Sequence, residues 1–148
     1  MANFNIGIDC PSEDSAYYGL DPHDVITLWL GFTDANSENG CMRVLPGSHK
    51  WPDQQHKETY DTDNLLARGQ TIVGLDDSTA VEMPLKAGQF SMHHERMLHS
   101  SGPNLSDDRR LGMSFTFLPT KTRCVIGRRT ATLVRGIDEY NNWDYDPE

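Results

Sequence analysis

A histidine at the end of an apolar run, His99, is followed by Ser100-Ser101-Gly102-Pro103-Asn104 and then by the arginine pair Arg109-Arg110. Far upstream, Asp14 stands within Glu13-Asp14-Ser15-Ala16-Tyr17-Tyr18. An imidazole, a carboxylate and a distant guanidinium suit one particular chemistry. A non-heme Fe(II) held on one face by two histidines and a carboxylate keeps open positions for a co-substrate and O₂. A guanidinium fork matches the carboxylate of such a co-substrate. A triad of the form His-x-Asp needs histidine at position 12, and this chain has Ser12. Two thirds of an iron site are present, together with one cation suited to a dicarboxylate.

Each of these residues also has a plainer reading. His99 could be a hydrogen-bonded histidine beside a turn, and Asp14 could cap a turn. Arg109 and Arg110 compete for one inward position, because neighbours on an extended chain face opposite ways. The same rule prevents His93 and His94 from chelating one metal together, so one of them faces inward in a structural role. His49 and His56 either bind a substrate carboxylate or sit at the surface. His23, in Asp21-Pro22-His23-Asp24, reads as a turn residue, Asp107-Asp108 as a solvated turn, and Cys41 as a small buried apolar group.

The elements that must position these residues are short strands. Val25–Phe32 is β-branched and aromatic and reads as a buried strand. Asn39-Gly40 turns the chain into a second strand, Cys41–Leu45, stopped by Pro46-Gly47, and the two strands are expected to form a hairpin. Residues 51–64 read as a long polar loop and 65–71 as a turn or short helix. Ala80–Leu85, Gln89–His94, Leu111–Leu118 and Thr130–Arg135 read as further strands, the last being the final one. Many short strands with little helix predict an antiparallel sandwich or barrel.

Bulk properties bound the function. The 148 residues suffice for one domain, with an acidic tail over about 137–148. A net charge of -9 argues against nucleic acid or an anionic membrane as the main partner, since both need a basic face. Three widely spaced cysteines form no Cys-x-x-Cys pair, which disfavours structural zinc and implies free thiols in a reducing, cytoplasmic setting. The longest apolar stretch is too short to span a bilayer. Nothing resembles a Ser-His-Asp nucleophile, a phosphate loop or a base-stacking surface.

Three segments, in order, resemble the phytanoyl-CoA dioxygenase family: Asp14 to Val25, Glu38 to Lys50, and His99 to Asn104. The resemblance runs from about Asp14 to Gly136 and implies a mainly β fold with little helix, the double-stranded β-helix or jelly-roll, cupin-like barrel. It also implies Fe(II) as cofactor and 2-oxoglutarate as co-substrate, with O₂ and a small organic molecule as the other reactants. Asp14 and His99 match the metal ligands. Arg110 matches the arginine that binds the far carboxylate of 2-oxoglutarate, Ser101 a hydroxyl that assists it, and Trp29, His49 and His56 positions lining or bordering the pocket. Ser12 falls where the family has its first metal histidine. Residues 1–13 are atypical, and the family's mostly helical N-terminal portion has no counterpart here. Ser12 is then either a junction residue of a fragment or the mark of a pseudo-enzyme with weak iron binding. The rival from another class is a non-catalytic jelly-roll module that binds 2-oxoglutarate or another small acid.

Overall fold

The computed structural model describes residues 19–52, 56–59, 69–72, 76 and 78–145. Among the described residues twelve strands follow one another: β1 Leu20–Asp21, β2 Ile26–Gly31, β3 Met42–Val44, β4 His56–Thr59, β5 Gly69–Ile72, β6 Val81–Glu82, β7 Phe90–His94, β8 His99–Ser101, β9 Gly112–Phe117, β10 Arg123–Cys124, β11 Thr130–Ala131 and β12 Asp144–Tyr145. Among the described residues the one helical element is a 3-10 turn, Ser48–Lys50.

Two three-stranded antiparallel sheets carry the site. One has the order β7-β2-β9 and the other β6-β3-β8. The chain passes repeatedly between them, so β7 and β9 are assembled on one sheet while β8, which lies between them in sequence, belongs to the other. Smaller pairs are β1-β10, β4-β5 and the parallel β11-β12. Leu20, Val25 and Trp143 form a buried cluster beside the first sheet, with Leu118, Cys124 and Ala131 packed on it. The Trp143 indole N–H donates to the Thr122 carbonyl at 2.7 Å, which ties the C-terminal segment to that cluster.

The strands β2, β7 and β9 lie where the alternation and β-branched content place them. Three expectations are corrected. The segments around β2 and β3 do not form a hairpin: β2 pairs with β7 and β9, and β3 with β6 and β8. The Asn39-Gly40 turn therefore carries the chain from one sheet to the other rather than back alongside β2. The loop expected over 51–64 contains β4, and β5 occupies the end of the stretch read as a turn or helix; both are polar strands that satisfy their backbone groups on each other. Thr130–Ala131 is not the last strand, because Asp144–Tyr145 pairs beside it.

Candidate functional site

Strand β8 projects His99 and Ser101 to the same side, two residues apart. His99 is buried, at 6% exposure. Its Nδ1 lies 2.8 Å from the Met97 carbonyl oxygen, an acceptor only, so Nδ1 carries the hydrogen. A neutral ring so bonded carries its lone pair on Nε2, the tautomer of a metal-ligating histidine oriented by a backbone carbonyl. The approach to β8 is fixed as well. The Ser48 hydroxyl accepts the Leu98 N–H at 2.8 Å, and Leu45 donates its N–H to the Leu98 carbonyl at 2.9 Å.

After β8 the chain makes a polar loop and returns as Arg110. The Asn104 side chain holds this loop closed: its amide donates to the Asp108 carbonyl, and its oxygen accepts the Ser106 N–H at 2.9 Å. Leu105 donates its N–H to the Glu38 carbonyl at 2.8 Å, joining this loop to the Asn39-Gly40 turn. Gly40 has φ +77, and a Cβ there would run into the Gly102 carbonyl, so the two turns meet backbone to backbone. The Thr33 hydroxyl donates to the Arg109 carbonyl at 2.8 Å and accepts the Leu111 N–H at 2.9 Å, bracketing Arg110 from both sides.

Arg110 then reaches across to the second sheet. Its Nη1 donates to Ser101 Oγ at 3.0 Å, and its guanidinium carbon lies 5.6 Å from the centroid of the Trp29 ring. Burial lowers the pKa of Arg110, with the nearby Cys41 opposing, yet a guanidinium remains charged at any physiological pH. Arg109 is exposed, so Arg110 is the arginine that turns inward. Gly112 makes room for Trp29, since a Cβ there would lie 2.6 Å from Trp29 Cε2 and 2.7 Å from the Leu30 carbonyl. Three residues matched through the resemblance, Trp29, Ser101 and Arg110, thus meet in one place.

The wall facing β8 is the inner side of the first sheet. Residues directly opposite one another share a face, so Thr27 and Trp29 stand in rows with His93 and Ser91 on β7 and with Thr116 and Ser114 on β9. His93 is buried and its ring centroid lies 4.8 Å from that of His99, with 48° between the planes. Ser91 is 6% exposed, and its hydroxyl has no hydrogen-bond partner among the described residues. Ser114 and Thr116 are exposed, so this inner wall is open along β9.

His49 lies in the 3-10 turn against His94, with ring centroids 5.7 Å apart, and its Nδ1 is buried without a hydrogen-bond partner among the described residues. Burial first, and His49 next, push the His94 pKa down. His23 is more than a turn residue, because its Nδ1 lies 3.1 Å from the buried Glu95 carboxylate. His56 is described only as a backbone position in β4, and Asp14 and Ser12 lie outside the described residues. Among the described residues no three His, Cys, Asp or Glu side chains gather as a metal site. Sequence reasoning missed Thr33 and Gly112 as positioning residues and did not say which of His93 and His94 turns inward; the structure places His93 against His99. The glycine opening β9 was the one visible signal.

The chain is similar to known proteins along most of its length. The family described as Phytanoyl-CoA dioxygenase (PhyH) matches residues 8–112, a span that begins before Asp14 and ends short of the Gly136 expected from the motifs. A probable alpha-ketoglutarate-dependent hypophosphite dioxygenase of Stutzerimonas stutzeri is 34% identical over 100 residues, covering 66% of this chain and 35% of that protein. The chain spans little more than a third of the length of the curated relatives it matches. Among solved structures, apo ThoJ, a non-heme monooxygenase, superposes with a TM-score of 0.77 at 30% identity, over 97% of this chain and 52% of its own. The epimerase SnoN in complex with Fe3+, alpha ketoglutarate and nogalamycin RO superposes at 0.56 and 25% identity, over 84% of this chain and 44% of its own. The two facing sheets are the jelly roll of these oxygenases. No helix among the described residues is long and apolar enough to cross a membrane. With the family match running from before Asp14 through the His99 segment to Gly112, the chain belongs to the phytanoyl-CoA dioxygenase family of iron- and 2-oxoglutarate-dependent oxygenases.

Proposed function

We propose that this chain is the iron- and 2-oxoglutarate-binding jelly roll of an oxygenase that hydroxylates a small organic molecule. One observation carries the reading: strand β8 presents a metal-competent imidazole, His99, two residues from a hydroxyl, Ser101, that is already engaged by the inward-turned Arg110. A 2-oxo acid needs that pair of features, a metal at its oxo end and a cation at its far carboxylate.

The residues fit an iron centre on chemical grounds. His99 offers Nε2, and Asp14 would supply the carboxylate. Fe(II) there would supply O₂ activation, with one oxygen atom leaving in succinate and the other in the hydroxylated product, and CO₂ released. The chain's own contribution is binding and orientation. Arg110 and Ser101 hold the C5 carboxylate of 2-oxoglutarate, Trp29 presses the guanidinium into place, and burial of the clamp strengthens each charge-assisted hydrogen bond. A substrate carboxylate is the ligand we assign to His49 and His56 through the resemblance, with His49 packed on His94, on the opposite face of β7 from His93. We place these functions in a single domain over 1–148 and in the cytoplasm, where the free thiols stay reduced. The rival reading, a module that binds 2-oxoglutarate or another small acid without catalysis, is favoured by Ser12, because a two-ligand site holds iron weakly.

Anaerobic calorimetric titration with 2-oxoglutarate tests the reading. With Fe(II) present, binding is expected to weaken about ten- to hundredfold in Arg110→Ala, the loss of roughly 1.5–3 kcal/mol typical of a hydrogen bond to a charged group. Equal affinity in wild type and Arg110→Ala would overturn it. Tight binding without iron, together with no succinate formation under O₂, would select the non-catalytic module.

A further inference from the structure

We infer that His93 is a metal-ligating residue of this chain, supplying with His99 the second imidazole that Ser12 cannot provide. The inference rests on the iron-site reading above and adds a ligand that the family motif does not contain. His93 and His99 come from different sheets and are both buried, at 7% and 6% exposure. Their ring centroids are 4.8 Å apart and their planes are tilted by 48°. Two imidazoles bound to one divalent metal through nitrogens at about 2.1 Å have ring centroids roughly 4.5–5.5 Å apart for angles between square and tetrahedral. The observed separation falls inside that window, and a tilt of 48° is compatible with two rings that radiate from one metal.

The surroundings point the same way. A buried imidazole on an apolar wall would be an ordinary core group, but the wall around His93 is polar. Thr27 lies directly opposite it on β2, and Ser91, two residues along the same face, buries a hydroxyl with no hydrogen-bond partner among the described residues. Such a row suits a ligand and its water better than a packed core. Arg110 and Ser101 border the same interior, so a metal between His93 and His99 would meet a 2-oxo acid held by the clamp. The sequence rule that His93 and His94 cannot chelate together still holds, because His94 belongs to the opposite face and packs on His49.

The test combines anaerobic Fe(II) titration with electron spin-echo spectroscopy of the Cu(II)-loaded protein, which counts bound imidazoles. The variants are His93→Phe, His93→Gln and His93→Phe in a Ser12→His background. Wild type is expected to bind one Fe(II) and to show two imidazoles. His93→Phe and His93→Gln should show one imidazole and bind Fe(II) at least tenfold more weakly while keeping the wild-type melting temperature within a few degrees. Ser12→His should return a second imidazole to the His93→Phe protein, while two imidazoles in wild type falling to one in both His93 variants is the result that a packing role of His93 would not give. A single imidazole in wild type, or unchanged Fe(II) affinity in both His93 variants, overturns the inference. Arg110-dependent binding of 2-oxoglutarate alongside either result leaves the oxygenase reading standing, so the two can fail separately.

Discussion

The two faces of the β7-β2-β9 sheet are built from the same three strands and have opposite character. The inner face carries Thr27, Trp29 and Gly31 with Ser91, His93, Gly112, Ser114 and Thr116. The outer face carries Ile26, Leu28 and Leu30 with Phe90, Met92, Met113, Phe115 and Phe117, and one polar residue, His94, opposite Ile26. In most half-buried sheets the apolar row faces the core. Here Phe90 is 54% and Met92 52% exposed, while the polar row lines the candidate site. Burial and hydrophobicity are separated in this sheet: its inner wall is polar and borders the candidate site, and its outer wall exposes apolar side chains among the described residues.

The largest break in this contrast is expected from the inner face. Arg110→Lys keeps the charge but loses the fork, and 2-oxoglutarate affinity measured by calorimetry should fall about tenfold, because a compact ammonium cannot hold Ser101 and a carboxylate in the same geometry. Next comes Gly112→Ala. The added methyl overlaps the Trp29 ring, so the indole must move. A cost of about 1–3 kcal/mol in chemical denaturation is expected from such overpacking, together with weaker 2-oxoglutarate binding through Arg110. Substitutions on the outer face should behave in the opposite way. Phe90→Ser and Met92→Lys should change stability by no more than about 0.5 kcal/mol, while lowering the fluorescence of a dye that binds apolar surface. A large stability loss in these two variants would mean that the outer face is packed in solution.

How much of this was legible in the sequence follows from the same contrast. The period-two pattern Met113, Phe115, Phe117 against Ser114 and Thr116 located β9 at once, but it said nothing of which side is the interior. The usual inference, apolar side inward, gives the wrong face. The meeting of Ser101 with Arg110 was legible because the two lie close in sequence around one loop. The partnership of β2 with β7 and β9 was not, since it depends on contacts across long stretches of chain. His93 was visible only as one of two adjacent histidines, and nothing local distinguishes a buried imidazole that packs from one that faces His99.

Smaller effects sharpen the picture at the rim of the site. Burial first, then the charge of Glu82, raises the Cys41 thiol above its ordinary 9.0. A raised thiol pKa means less thiolate at every pH below it, so alkylation of Cys41 in the folded protein should be slower than that of a free cysteine at pH 8. The rate should become ordinary on unfolding, as read by mass spectrometry. The smallest effect concerns the tie between Asp34 and the 86–88 turn. Lys86 Nζ donates to Asp34 at 2.7 Å, and that hydrogen bond, with the Ala87 N–H, lowers the carboxyl pKa below 3.8. A depressed folded pKa gives stability that is present above 3.8 and lost as pH falls through the folded value. The pair is exposed, so Lys86→Met should only slightly flatten the acid limb of a thermal melt followed below pH 4.

Thr33 gives the clamp a mechanical property. One hydroxyl binds the peptide groups on both sides of Arg110, and Thr33 lies just beyond the strand that carries Trp29. Guanidinium and indole are therefore jaws of one calliper, set to a fixed gap and mounted on the same sheet. Ser101 is on the other sheet. The hydrogen bond from Arg110 to Ser101 thus spans the two sheets, while the cation and the ring it faces stay on one.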